Sequence, residues 1–143
     1  MIRGSPTRTM HGLVLFVDDE PQILNGFRDI LRKEPYDLLL ASSASEALLL
    51  LSQHQVDVVV SDERMPVISG SEFLERVRRG YPGIVRIMLT GQASLEVSVQ
   101  AINDGLYRFL GKPIPSQELC RVIRAALKLK AINDVRAQTR LRA

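Results

Sequence analysis

Three acidic residues, a threonine and a lysine sit in this sequence where short apolar runs stop. Asp18 and Asp19 follow the run 13–17, Asp62 follows 56–61, Thr90 follows 85–89 and Lys112 comes two residues after 107–110. If those runs are strands of one sheet, Asp18, Asp19 and Asp62 converge at its edge. Two like charges ~4 Å apart cost on the order of 4 kcal/mol at an effective dielectric near 20. Protonation or a bound hard cation would relieve that repulsion. Carboxylate oxygens with water suit magnesium, held by one or two direct carboxylates. A plainer use is that Asp18 or Asp19 caps the helix opening at Pro21. That accounts for one acid of the pair and leaves Asp62 unexplained.

A carboxylate can also act as a nucleophile. Attack on phosphorus forms an acyl phosphate and divides transfer from hydrolysis. The charge that develops on the equatorial oxygens calls for a cation and neutral donors. Lys112 can supply the ammonium and Thr90 the hydroxyl, with Gly91 leaving the approach open. Each alone reads as a solvated lysine or a strand-end hydroxyl. Their occurrence at successive strand ends, together with the acids, favours a joint site.

The elements that must position these groups alternate. Runs at 13–17, 37–41, 56–61 and 85–89 are rich in Val, Ile and Leu and scarcely alternate with polar residues, as expected for strands covered on both faces. The run 107–110 is shorter and more polar, which suits a sheet edge. Helical patterns lie between them. Residues 21–33 open with Pro21 and place Ile23, Leu24, Phe27, Ile30 and Leu31 on one face. Residues 45–53 open with Ser45 as a capping serine. Residues 71–79 carry Phe73, Leu74 and Val77 and stop at Gly80-Tyr81-Pro82-Gly83. Residues 94–104 carry Leu95, Val99 and Ile102 and end at Gly105, and a last helix runs from Ser116 to about residue 140. Strict βα alternation predicts an α/β fold, a doubly wound parallel sheet with helices on both faces. The tetrapeptide Ala-Ile-Asn-Asp occurs at 101–104 and 131–134, too short a match to mark a repeat.

Composition bounds the function classes. The chain has 143 residues, 45% of them hydrophobic, enough for one domain with a core and too few for a second of ordinary size. No apolar run is long enough to cross a bilayer, and residues 1–10 lack the apolar stretch of a secretory signal. They read as a disordered leader or an expression remnant. The single cysteine, Cys120, excludes an internal disulfide and sits at the spacing of a buried structural thiol, consistent with a reducing, cytoplasmic setting. The net charge of +3 resides in the tails, since residues 9–127 hold 12 basic and 15 acidic residues. A mildly acidic body argues against direct nucleic-acid binding.

The sequence closely resembles the receiver domain of two-component response regulators over about residues 12–128. The resemblance is carried by Leu15-Phe16-Val17-Asp18-Asp19-Glu20, Val58-Val59-Val60-Ser61-Asp62-Glu63-Arg64-Met65-Pro66, Met88-Leu89-Thr90-Gly91 and Phe109-Leu110-Gly111-Lys112-Pro113. It implies a flavodoxin-like and CheY-like five-stranded parallel sheet of order 2-1-3-4-5. It implies that Asp62 accepts a phosphoryl group from a sensor histidine kinase or phosphotransfer protein. Mg2+ would be held by Asp19, Asp62 and the carbonyl of Arg64, with Asp18 acting through water. Thr90 and Lys112 would bind phosphoryl oxygens, and Lys112–Pro113 would be a cis peptide. Phe109 takes the place of a switch aromatic that is often tyrosine, so Thr90 and Phe109 are the expected switch pair. Arg64 and Gln92 would lie near the phosphoryl group and tune its rates.

The expected organisation is a leader over 1–10, a receiver domain over 11–128 and a helical extension or linker over 129–143. Such a domain is not a classical enzyme; it would catalyse its own phosphorylation and dephosphorylation at Asp62. Its output domain would be separate or part of a longer regulator, similar to receivers joined to HD-GYP-type phosphodiesterases or transcription-activating ATPases. The surface made by 94–104, 107–110 and 116–127 is a candidate to meet a partner or a second copy. Two other readings compete. A receiver-like module that is never phosphorylated would usually lack an acid, the threonine or the lysine, and all are present. A phosphatase of the haloacid dehalogenase type would carry Asp-x-Asp after the first strand, where this chain has Asp18-Asp19-Glu20.

Overall fold

A computed structural model describes residues 12–91 and 105–142. The leader over 1–10, Gln92 and the helix expected over 94–104 lie outside the described residues. Five strands, β1 (Leu13–Val17), β2 (Asp37–Ala41), β3 (Val58–Ser61), β4 (Val85–Thr90) and β5 (Arg108–Gly111), form one parallel sheet in the order β2-β1-β3-β4-β5. Four helices are described: α1 (Pro21–Leu31), α2 (Ala44–Gln53), α3 (Gly70–Gly80) and α4 (Ser116–Arg142).

Side chains alternate across each strand, so the apolar runs supply two cores. Leu13, Leu15, Val17, Val59 and Met88 pack with Ala47, Leu51, Phe73 and Val77 of α2 and α3. Val14, Phe16, Val58, Val60, Ile87 and Leu89 pack with Leu24 and Leu31 of α1 and Leu119, Val122, Ile123 and Ala126 of α4. Every residue of β1, β3 and β4 is buried. Each large apolar side chain so enclosed contributes about 1.5–3 kcal/mol. β2 departs from expectation, with four of its five residues only half-buried. It has a neighbour on one side alone, and its Leu38–Leu40 run is covered less completely than its composition suggests.

Local chemistry sets the helix ends. Ser43, rather than Ser45, caps α2, its Oγ accepting the Glu46 amide at 3.1 Å. Glu46 Oε1 in turn accepts the Ser42 amide at 2.7 Å, a reciprocal box shifted one residue outward. α3 starts one residue before the expected Ser71, with Ser69 Oγ accepting the Glu72 amide. Neither Asp18 nor Asp19 is the N-cap residue of α1, a position held by Glu20, so capping does not explain the acidic pair. Ile30 is 39% exposed, at the edge of the face it was expected to bury. Cys120 is half-buried rather than buried, and burial pushes its thiol pKa up. Residues 131–141 of α4 are exposed throughout.

Candidate functional site

The strand ends deliver the expected residues to one place. The Asp18 amide donates to Ala41 O of β2 at 3.1 Å, the Asp62 amide to Val17 O of β1 at 2.9 Å and the Lys112 amide to Thr90 O of β4 at 2.9 Å. Each bond extends a ladder by one step and so fixes where the next side chain emerges. Asp18, Asp19 and Asp62 each offer a carboxylate oxygen, all within 4.8 Å of one another. Asp18 and Asp62 are buried and Asp19 is half-buried. Asp19, Glu20, Asp62, Arg64, Thr90, Gly91 and Lys112 line one open cleft. A cluster of hard oxygen donors at an open cleft can hold a metal ion, and its chemistry fits a small divalent cation that keeps part of its water.

The Lys112 ammonium stands between two of the acids, 2.8 Å from Asp18 Oδ2 and 3.1 Å from Asp62 Oδ1. Charge repulsion among the acids is therefore met partly by this lysine, a remedy beyond the protonation and bound cation considered from sequence. The remaining carboxylate oxygens also have partners. Asp18 Oδ1 accepts the Glu20 amide at 3.0 Å and Asp62 Oδ2 the Arg64 amide at 3.1 Å. Burial raises the Asp62 pKa, opposed by Lys112 and reinforced by the Asp18 charge. Burial pulls the Lys112 pKa down, but its bonds to Asp18 and Asp62 outweigh that and leave it raised.

Thr90 is buried at the end of β4, and the Lys112–Pro113 peptide is cis. Arg64 is exposed at the rim of the cleft. Phe109 lies outside the cleft, half-buried against the α2–α3 core layer and in register with Met88. Thr90 follows Met88 by two residues and shares its face of the sheet, so Thr90 and Phe109 lie on one side of adjoining strands. Ser61, Glu63 and Gly70 also bear on Asp62 and were not singled out from sequence. Ser61 reads as a plain strand residue and Gly70 as loop, and their role depends on contacts that residue type does not announce.

Comparisons with known proteins bear on the family and the fold. The family model for the response regulator receiver domain matches residues 14–124. The chain is 37% identical over 120 residues to the hydrogenase transcriptional regulatory protein HoxA of Cupriavidus necator, covering 83% of this chain and 25% of that protein. It thus spans about a quarter of that regulator's length. The signal receiver domain of an HD domain-containing protein from Pseudomonas fluorescens Pf-5 superposes with a TM-score of 0.81 at 38% identity, covering 85% of this chain and 98% of that one. A CheY-like response regulator receiver domain protein from Methanospirillum hungatei JF-1 gives a TM-score of 0.81 at 32% identity, covering 86% and 98%.

Proposed function

The chain belongs to the response regulator receiver domain family of two-component signalling, and from that premise we propose that Asp62 is its phosphoacceptor. The observation that carries this is the position of Asp62 at the end of the central strand β3, with Lys112 Nζ at 3.1 Å and two further carboxylates beside it. An Asp62 oxygen attacks phosphorus of a phosphohistidine on a sensor kinase or phosphotransfer protein. The new O–P bond forms as the P–N bond breaks, and its electron pair leaves with the imidazole nitrogen. Lys112, already within hydrogen-bond reach of that carboxylate, is placed to follow the charge onto the phosphoryl oxygens. Thr90 donates its hydroxyl to the same oxygens.

Asp19, Asp62 and the carbonyl of Arg64 would hold Mg2+, with Asp18 reaching it through water. When bound, that ion neutralises charge on the transferring group. Asp18 keeps Lys112 in the cleft between transfers.

Among the described residues no helix is long and apolar enough to cross a membrane. The cytoplasmic setting proposed here rests on membership of the receiver family. The proposed receiver spans residues 11–128, and the segment 129–143 is an extension or linker toward an output domain, separate or in a longer protein. The experiment is incubation with acetyl phosphate and magnesium, read by intact-protein mass spectrometry. One added phosphoryl group is expected in wild type and none in Asp62→Asn, because an amide cannot form the acyl phosphate. Undiminished labelling of Asp62→Asn would move the acceptor elsewhere.

A further inference from the structure

Every polar atom of Asp62 is held. Its amide donates to Val17 O at 2.9 Å, its carbonyl accepts the Ser61 hydroxyl at 2.9 Å, and its two carboxylate oxygens meet Lys112 and the Arg64 amide. Ser61 is fully buried in β3, so its hydroxyl needs a partner, and it donates to Asp62 O. The chain then turns back on itself. Gly70, the first residue of α3, donates its amide to Glu63 O at 2.8 Å. Glu63 Oε1 accepts both the amide and the hydroxyl of Ser71 at 2.7 Å, fastening the same helix end.

That turn seats Gly70 directly on the Asp62 peptide. A Cβ added at Gly70 would lie 2.0 Å from Asp62 O, 2.8 Å from Asp62 C and 2.8 Å from Glu63 Cα. Among the described glycines, Gly70 alone meets backbone this closely; the tight neighbour of Gly12 is a leucine side chain. The requirement at Gly70 is one of space rather than of a left-handed backbone, since its φ is not positive. Relieving the contact takes a backbone shift of roughly 1 Å, the scale at which a misplaced reacting group loses on the order of a hundredfold in rate.

Resting on the reading of Asp62 as acceptor, we infer that Ser61 and Gly70 are positioning residues for it. Ser61 sets the peptide plane that leaves Asp62, and Gly70 lets α3 close against that plane. Together they hold the carboxylate along the line of attack on phosphorus. Neither touches the transferred group.

The test measures acetyl phosphate labelling of the full chain, per folded molecule, with the folded fraction taken from circular dichroism. The variants are Gly70→Ala, Ser61→Ala and Val77→Ala. Val77 is fully buried in α3, in the core packed between that helix and the sheet, and serves as a control for lost stability. Gly70→Ala should label at least tenfold more slowly, Ser61→Ala at least threefold, and Val77→Ala within twofold of wild type. Fluorine NMR of the beryllofluoride adduct should show shifted resonances in the first two variants alone. A folded Gly70→Ala or Ser61→Ala that labels within twofold of wild type overturns the assignment of that residue. If Gly70→Ala does not fold, Ser61→Ala decides. Equal slowing in Val77→Ala overturns the inference by assigning the loss to stability. Labelling that persists in Asp62→Asn removes the premise itself, an outcome distinct from all of these.

Discussion

Lys112 Nζ lies 2.8 Å from Asp18 Oδ2 across 94 residues of sequence. The pair couples the loop after β1 to the loop after β5, the two separated by β3 and β4 in the sheet. Asp18 is almost fully enclosed and Lys112 about one-fifth exposed, so the carboxylate depends on this ammonium far more than a surface acid would. The same ammonium reaches Asp62, and the cluster as it stands sets three carboxylates against one lysine.

Lys112→Met should therefore destabilise the protein in chelator by about 3 kcal/mol, the low end for removing one partner of a buried pair, since Lys112 is itself partly exposed. Millimolar magnesium should recover part of that loss, because a cation that binds only the native state stabilises it. Urea titrations of wild type and variant, with and without magnesium, check this. A variant equal to wild type in chelator would mean that the lysine is not the counter-ion of the acids.

Asp19 takes no part in either ion pair, and among the described residues nothing offsets its charge, so it adds repulsion to the cluster. Asp19→Asn should raise apo stability by about 1 kcal/mol, the scale of one screened charge–charge term. Asp18→Asn should give no such gain, because it breaks the bond to Lys112. Magnesium should raise the thermal midpoint of wild type and do so less in Asp19→Asn. Equal midpoints for all three proteins in both conditions would separate these acids into unrelated sites.

Tyr36 gives an alkaline prediction. Its phenol is buried in the α1–α4 core, and burial followed by the Glu34 charge pushes its pKa well above the ordinary value of about 10. A raised acid binds its proton more tightly in the folded state. Its contribution is thus complete below pH ~10 and is lost as pH rises beyond that, by up to about 1.4 kcal/mol per pH unit. Denaturation midpoints of wild type should fall more steeply than those of Tyr36→Phe between pH 9.5 and 11. Parallel curves would show that the phenol is not what the alkaline limb reports.

Much of this was legible in sequence for a specific reason. β1, β3 and β4 are central and buried on both faces, so their composition cannot hide, and a parallel sheet collects its chemistry at the carboxyl ends. Asp18, Asp19, Asp62, Thr90 and Lys112 are therefore read together from position alone. What was missed depends on direction and distance. Ser45 is the cap expected from sequence, but the backbone is extended at Ser43 and makes Ser43 the cap instead. β2 carries core-like residues but stands at an edge. The Glu34–Arg124 pair, with bonds of 2.8 and 2.6 Å, joins residues 90 apart and has no local signature. The seat of Gly70 on Asp62 is a clearance of a few ångströms between a helix start and a strand end.

Arg124 engages Glu34 through two nitrogens, fastening α4 to the segment after α1. Glu34 is buried while Arg124 is largely exposed, so loss of the arginine leaves an enclosed carboxylate that water reaches poorly. Arg124→Ala should lower the thermal midpoint, and the double variant Arg124→Ala with Glu34→Gln should recover part of the loss. A double variant no more stable than Arg124→Ala alone would show that the enclosed charge is not the source of the loss.

The last prediction concerns Phe109 and the transmission of phosphorylation. Thr90 and Phe109 lie on one face of neighbouring strands, Thr90 buried and Phe109 only half-buried. If Thr90 turns its hydroxyl toward a phosphoryl group on Asp62, it vacates room on the face where the Phe109 ring packs. The ring can then turn inward and repack the surface made by β5 and the first turns of α4. For one modification to shift the population, the two packings must differ by only a few kcal/mol. Hydrogen exchange with and without beryllofluoride should therefore change across residues 105–127 in wild type. In Phe109→Ala that distant change should shrink while the response of residues 62–70 persists, because the ring is the proposed link and the acceptor loop is not. A wild-type response confined to 62–70 would make Phe109 a core residue and nothing more.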